Sequence, residues 1–316
     1  MAQDYYVEKG LNPEVQALWS FNPDSLRVPM AATQGVLTQI SRPSGGVISG
    51  QGVVFDNDGS PGKSLGMYGE LKPNQGKEDT HSRGKNWSLL HTLFAETHLL
   101  IKNPGALNSG KANLMTNSLE KLKAMIPILK GETPFVLAMD RAQDMRNLIT
   151  MKESQKAKWG YSIRPMVLGG AESWKVAKVL AKHNIPVILS PARQTPMSMD
   201  MVHARFDLAA SLNKENVKVL LDDSGGTGAT RLRQEAGLAV KYGMPKEAAL
   251  LAISKNPAQA FDLQRGELQV GAAAHMVLWS ADPLEPTSVA QKVWIHGKSQ
   301  PLETRHSLLA KKYLKK

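Results

Sequence analysis

A chain of 316 residues with 42% hydrophobic and 6% aromatic content can bury a substantial core. It has no cysteine, which excludes disulfides, thiolate metal ligands and a cysteine nucleophile. The net charge is +11, but residues 292–316 hold seven basic side chains against Glu303, a local net of +6. This reads as a solvated basic helix over 301–316 rather than a nucleic-acid groove, and no nucleic-acid module supports a nucleic-acid partner. No run reaches the ~18 to 20 apolar residues of a membrane helix. The opening Met1-Ala2-Gln3-Asp4-Tyr5-Tyr6-Val7-Glu8 lacks the basic and apolar regions of a signal peptide, so no membrane association and, by default, a cytoplasmic location are expected.

Residues 1–60 read as a loop, a helix over 26–32 and two strands, 35–40 and 47–55, separated by the turn Pro43-Ser44-Gly45-Gly46. Residues 56–83 read as loop, and helical patterns follow over 84–99 and 112–129. From Thr133 strands alternate with helices: strands at 135–139, 162–168, 185–189 and 217–221, helices at 143–153, 174–183 and 201–212. Strands alternating with helices of about ten residues predict a parallel sheet, and the repetition favours a barrel. Leu232, Ala236, Ala239 and Val240 recur at helical spacing up to Gly243, Pro245 opens another helix, and Asn256-Pro257 reads as a cap-and-proline start. The period then falls to about two through His275-Met276-Val277-Leu278-Trp279 and Val293-Trp294-Ile295.

The C-terminal third carries an ordered set of motifs: Asn256-Pro257-Ala258, then Gly266-Glu267-Leu268-Gln269-Val270-Gly271, then Ala272-Ala273-Ala274-His275-Met276-Val277, Asp282-Pro283 and a run ending at Gly297. This series resembles the amidohydrolase superfamily, especially its imidazolonepropionase-like members. The resemblance implies a (β/α)8-type TIM barrel over 1–262, a small β appendage over 263–300 that is part of a composite sandwich, and the basic helix over 301–316. His275 stands where that family carries Asp. The stretch from Asn12-Pro13 to Phe55 resembles the part of the family that follows its first barrel strand, which normally ends in His-x-His. This chain has no His-x-His, and its first histidine is His81. On the resemblance, the barrel is incomplete at strand one and lacks that ligand pair.

The resemblance also implies where chemistry would lie. Active sites of such barrels sit at the C-terminal strand ends. There the family holds a divalent, zinc-type metal with imidazoles and a carboxylate, and the metal-bound hydroxide attacks a C–N carbon. Met139 and Gly169 stand at expected histidine positions, and a methionine thioether is a weak zinc donor. Asp223, or its neighbour Asp222, occupies the place of the family's metal-binding or general-base Asp. Arg141, Gly169 and Glu172 fall beside the expected substrate. Without the resemblance, Asp222-Asp223-Ser224-Gly225-Gly226 would read as a loop with a helix cap.

No other histidine completes a ligand set in sequence. His91 and His98 share a helix face but are seven apart, too far for one ion; His183 ends a helix, a favourable place for imidazolium, and His203, His296 and His306 read as isolated. Gly62-Lys63-Ser64-Leu65-Gly66 spells a nucleophile elbow with no strand before it. Residues 105–112 nearly spell a phosphate loop but end in Ala112. Ser224-Gly225-Gly226-Thr227-Gly228 could cradle an anion through backbone N–H groups.

Two readings follow. One is a metal-dependent hydrolase of cyclic amide or related C–N bonds. The other is a barrel subunit that has lost its metal and binds a partner or small ligand beside a complete relative. An open first strand, and an appendage that leaves Val277, Trp279, Val293 and Ile295 to find cover, imply a homo-oligomer or pairing with another amidohydrolase chain.

Overall fold

The computed structural model describes residues 10–71, 82–104, 115–223 and 231–314. In chain order the elements are α1 (Arg27–Thr33), β1 (Thr38–Ser41), β2 (Gly50–Asp56), β3 (Lys63–Glu70), α2 (Arg83–Lys102), α3 (Leu119–Leu129), β4 (Pro134–Met139) and α4 (Ala142–Trp159). Then come β5 (Arg164–Gly169), α5 (Ala177–Lys182), β6 (Val187–Leu189), α6 (Leu208–Lys214), β7 (Val219–Leu221), α7 (Leu232–Lys241), α8 (Lys246–Ala252) and α9 (Lys255–Ala260). The chain closes with β8 (Met276–Trp279), β9 (Ala290–Ile295), β10 (Lys298–Ser299) and α10 (Arg305–Tyr313). Among the described residues no helix is long and apolar enough to cross a membrane.

Strands β1 to β7 form one curled sheet in chain order. The β3–β4, β4–β5, β5–β6 and β6–β7 pairs are parallel, and β1–β2 and β2–β3 are antiparallel. Every residue of β4 is buried, as expected for a strand covered on both faces. The alternation of side chains sorts the two faces. Met67, Phe135, Leu137, Met139, Val167, Val187, Leu189, Val219 and Leu221 join the core that holds the helices, including Leu93 and Phe94 of α2 and Met145 and Leu148 of α4. Tyr68, Val136, Met166 and Leu220 face the other way, into a smaller cluster with Ala260 and Phe261 at the end of α9. Phe94 meets Phe135 edge-on at 5.9 Å, anchoring α2 on the sheet.

A closed eight-stranded barrel is not what forms among the described residues: the sheet has seven strands and β7 does not return to β1. The edge of β7 meets a side chain of α9. Asn256 Nδ2 donates to the carbonyl of Val219 at 2.9 Å, so the residue that reads as a helix cap satisfies the edge of β7 instead. Near the other edge, Leu11 and Gln16 make parallel bridges to Ile48 and Gln51.

The stretch expected to be loop, 56–83, contains β3, a central strand of eight residues. Its register slips between Gln51 and Gly52 of the partner strand, where Gly66 is the extra residue at φ +69°. A bulge at a left-handed glycine breaks the period-two pattern that would have announced the strand. The Gly62–Gly66 motif therefore runs into a bulged strand and makes no nucleophile elbow.

Strands β8, β9 and β10 form a separate antiparallel sheet. Val293 and Ile295 are fully buried within this one chain, so the appendage does not need a partner to cover them. Arg233 of α7 stacks on the Trp279 ring at 4.5 Å and donates to the carbonyl of Pro283 at 2.8 Å. Lys246 of α8 pairs with Asp282. Helix α10 is exposed along its length and opens with a capping box between Thr304 and Ser307.

Gly35 follows α1 at φ +77°, and a Cβ there would lie 2.3 Å from the Trp279 ring. Gly35→Ala is therefore expected to lose ~1 to 3 kcal/mol of stability and to shift the tryptophan emission. Urea unfolding followed by fluorescence checks this, and an unchanged midpoint contradicts the packing described.

Candidate active site

At the C-terminal ends of β3 to β7, alternation gives the inward-facing series Glu70, Asp140, Gly170, Ser190 and Asp222. Arg42, just after β1, lies 3.9 Å from Glu70, whose Oε1 also accepts the Gly45 N–H at 3.4 Å. Burial pushes the Asp222 carboxyl above its ordinary range; Arg42 and Arg193 pull it down, and the Asp223 charge pushes it up again. Burial likewise pushes the Tyr68 phenol up, with Arg42 and Asp222 acting on it in opposite senses. Tyr68 is buried below them, and its hydroxyl makes no hydrogen bond to the protein. A hydroxyl, a carboxyl of raised proton affinity and a guanidinium thus share one end of the inner face. That set can exchange a proton and orient an anionic or carbonyl oxygen.

The residues singled out in sequence are distributed differently from expectation. Met139 lies on the outer face, packed against the helices, and the inward position beside it belongs to Asp140. Asp140 is buried and accepts the Ala171 N–H at 3.2 Å. Asp223 follows the outward parity of Val219 and Leu221; its side chain accepts the Arg231 N–H at 3.0 Å and lies 3.8 Å from the Arg231 guanidinium. The inward carboxyl is Asp222. Gly169 ends β5 at φ +91°, with no side chain to present. Arg141 Nε pairs with Asp200 at 2.6 Å, and Arg83 bridges Asp200 and the buried Asp144. Glu172 accepts the first N–H of α4 from Ala142 at 3.0 Å and holds Lys175 at 2.5 Å and His203 at 2.8 Å. Arg141 and Glu172 are both already engaged by the chain, which makes them part of the frame around the strand ends.

His98 stacks on Trp159 at 4.4 Å and meets the Tyr161 hydroxyl at 2.6 Å, and His183 lies 3.3 Å from Glu153. His296, expected to be isolated, is not. Its Nε2 is 2.8 Å from Asp56 Oδ2, and its ring meets His275 edge-on at 4.5 Å. Among the described residues Asp56, His275 and His296 form the group with metal-ligand spacing. Asp56 ends β2, which runs antiparallel to β3, so this cluster lies at the opposite end of the sheet from Asp140 and Asp222. His296 and Asp56 are 240 positions apart, so no local motif announces the pairing.

A zinc-type ion of the expected kind does not fit the described strand ends by themselves. The inward series there supplies carboxylates and a serine but no imidazole, and Arg42 already faces the acids. His81, residues 105–112 and the Ser224–Gly228 loop lie outside the described residues.

No family model matches the chain. Over 84 residues, 26% of the chain, it is 32% identical to amidohydrolase tasK of Hapsidospora irregularis, a match that spans 9% of that protein. An amidohydrolase from Thermotoga maritima MSB8 superposes with a TM-score of 0.78 at 22% identity, over 92% of this chain and 78% of that one. The β-aspartyl dipeptidase of Fervidobacterium islandicum AW-1, solved with a β-Asp-Leu dipeptide, aligns at 15% identity over 58% of this chain and 53% of its own, with a TM-score of 0.42. At that score the last carries no argument. The Thermotoga likeness shows a fold shared with that protein.

Because Asp222 holds its proton more tightly folded than unfolded, the folded chain binds more protons above pH 3.8, and stability falls as pH rises through that window. Asp222→Asn removes the cost of a buried ionised carboxyl. It is expected to raise Tm by several degrees at pH 7.5, with the gain shrinking toward pH 4; scanning calorimetry at both pH values checks it. An equal loss at both would contradict the burial argument.

Proposed function

We propose that the chain is a member of the amidohydrolase superfamily, of the imidazolonepropionase-like kind, and that it takes part in hydrolysis of a cyclic amide or related C–N bond in a small molecule. The observation that carries this reading is Asp222. It is an inward, partly buried carboxyl of raised proton affinity at the C-terminal end of the last parallel strand, in a chain with an amidohydrolase's architecture.

In this reading Asp222 takes a proton from the attacking water and returns it to the leaving nitrogen, a role suited to a carboxyl whose proton affinity burial raises. Arg42 and Arg193 orient the substrate's anionic or carbonyl oxygen, and the Tyr68 hydroxyl donates to the same region. Residues 1–262 form the catalytic unit in this proposal, 263–300 the remnant of a composite sandwich, and 301–316 a basic terminal helix. Self-association, or pairing with another amidohydrolase chain, belongs to the same proposal.

The test is turnover of a panel of cyclic amides and imidazolones by the purified chain with zinc, manganese or iron(II) added in turn. Hydrolysis is expected, with kcat/KM lowered at least ~100-fold by Asp222→Asn and rising with pH as Asp222 ionises. No hydrolysis with any ion, or an Asp222→Asn variant as active as the parent, would contradict the reading and favour a non-catalytic binding subunit.

A further inference from the structure

The Asp56, His275 and His296 cluster has no part in the chemistry proposed for the strand ends, and it has the features of a built site. The Thr38 hydroxyl organises it. Thr38 Oγ1 donates to Asp56 Oδ1 at 2.7 Å, and it accepts from Arg265 Nη1 at 2.9 Å. His275 Nδ1 stands 3.4 Å from the same oxygen. With its hydrogen donated and Arg265 already bound there, Thr38 meets His275 as an acceptor. The proton of a neutral imidazole is therefore held on Nδ1 and the lone pair on Nε2.

That His275 Nε2 is buried and makes no hydrogen bond among the described residues, on a side chain only 5% exposed. It faces Asp56 Oδ2 at 3.9 Å, while His296 Nε2 stands 2.8 Å from the same oxygen. The carboxylate is thus divided. Oδ1 is held by Thr38 and Arg265, and Oδ2 is turned toward two imidazole nitrogens. Ligand orientation by an outer ring of hydrogen bonds is what metal sites use to fix tautomer and direction. The three donor atoms lie within 4.8 Å of one another. Donors ~2.1 Å from a tetrahedral ion stand about 3.4 Å apart, between the two measured separations.

We propose that Asp56 Oδ2, His275 Nε2 and His296 Nε2 bind a zinc-type divalent ion. Two nitrogens and one carboxylate oxygen suit zinc and neighbouring imidazole-loving ions rather than calcium or magnesium. The fourth position goes to water, since His296 is half-exposed and the site opens beside it. The ion joins three places far apart in the chain: the end of β2, the residue before β8 and the turn after β9. It therefore fastens the small sheet to the large one, at the end of the sheet away from Asp222. The Arg265 charge opposes the ion, so the affinity expected is micromolar rather than that of a four-ligand structural site.

The test is titration of the full chain, stripped with a chelator, with zinc alone and with cobalt(II). One ion per chain is expected, with the visible bands of tetrahedral cobalt and a rise in Tm on loading. His296→Ala, at a half-exposed position that the fold tolerates, is expected to weaken binding at least tenfold and abolish the Tm gain. Asp222→Asn should leave both intact, which separates this site from any ion at the strand ends. Binding lost in Asp222→Asn but kept in His296→Ala would overturn the proposal. So would no binding below millimolar zinc, which would leave the cluster a hydrogen-bonded clamp only.

Discussion

The whole account depends on the period-two alternation of the parallel strands. In β4 it sends Phe135, Leu137 and Met139 to the helices and Val136 to the interior; in β7 it sends Val219 and Leu221 one way and Leu220 the other. One step of register decides which residue at each strand end can meet a substrate. That constraint puts Asp140 and Asp222, rather than Met139 and Asp223, on the inner series. The outer face is held by a large apolar core, so the strands cannot slip without exposing it.

The same constraint explains the electrostatics. A carboxylate on the inner face leaves water, so its charged form is penalised unless cations answer it. Arg42 and Arg193 answer Asp222 in part, and burial still prevails. Around the rim the acids are paired: Arg83 binds both Asp144 and Asp200, Arg141 completes the chain, and Glu172 caps α4 while holding Lys175 and His203. Glu172 is held below its ordinary range, while burial raises both Asp144 in the frame and Asp222 at its centre.

Much of the scaffold could be read directly from residues. The apolar runs at 135–139 and 185–189, with helical spacing between them, announce a parallel sheet, and β4, β5, β6 and β7 lie within a few residues of the expected strands. Strand β3 could not be read, because Gly66 inserts a bulge and Lys63, Ser64 and Glu70 make the stretch look like loop. Sequence could name the Asp222-Asp223 pair, and the resemblance put Asp223 first, where the strand's parity points Asp222 inward. Strand ends carry no local mark of parity, and only the packing of Leu220 and Leu221 supplies it. The Asp56, His275 and His296 cluster was illegible for a different reason: its members come from two sheets and meet only through tertiary structure. His275 stood out solely as a departure from the motif it interrupts.

The central claim, that Asp222 is an inward-facing carboxyl whose proton affinity is raised by burial, is tested most directly by infrared difference titration of the intact chain against Asp222→Asn. The account predicts one carboxyl band, present in the parent and missing from the variant, that ionises clearly above the ordinary aspartate range. A difference spectrum in which that band titrates at ordinary aspartate pH would contradict it.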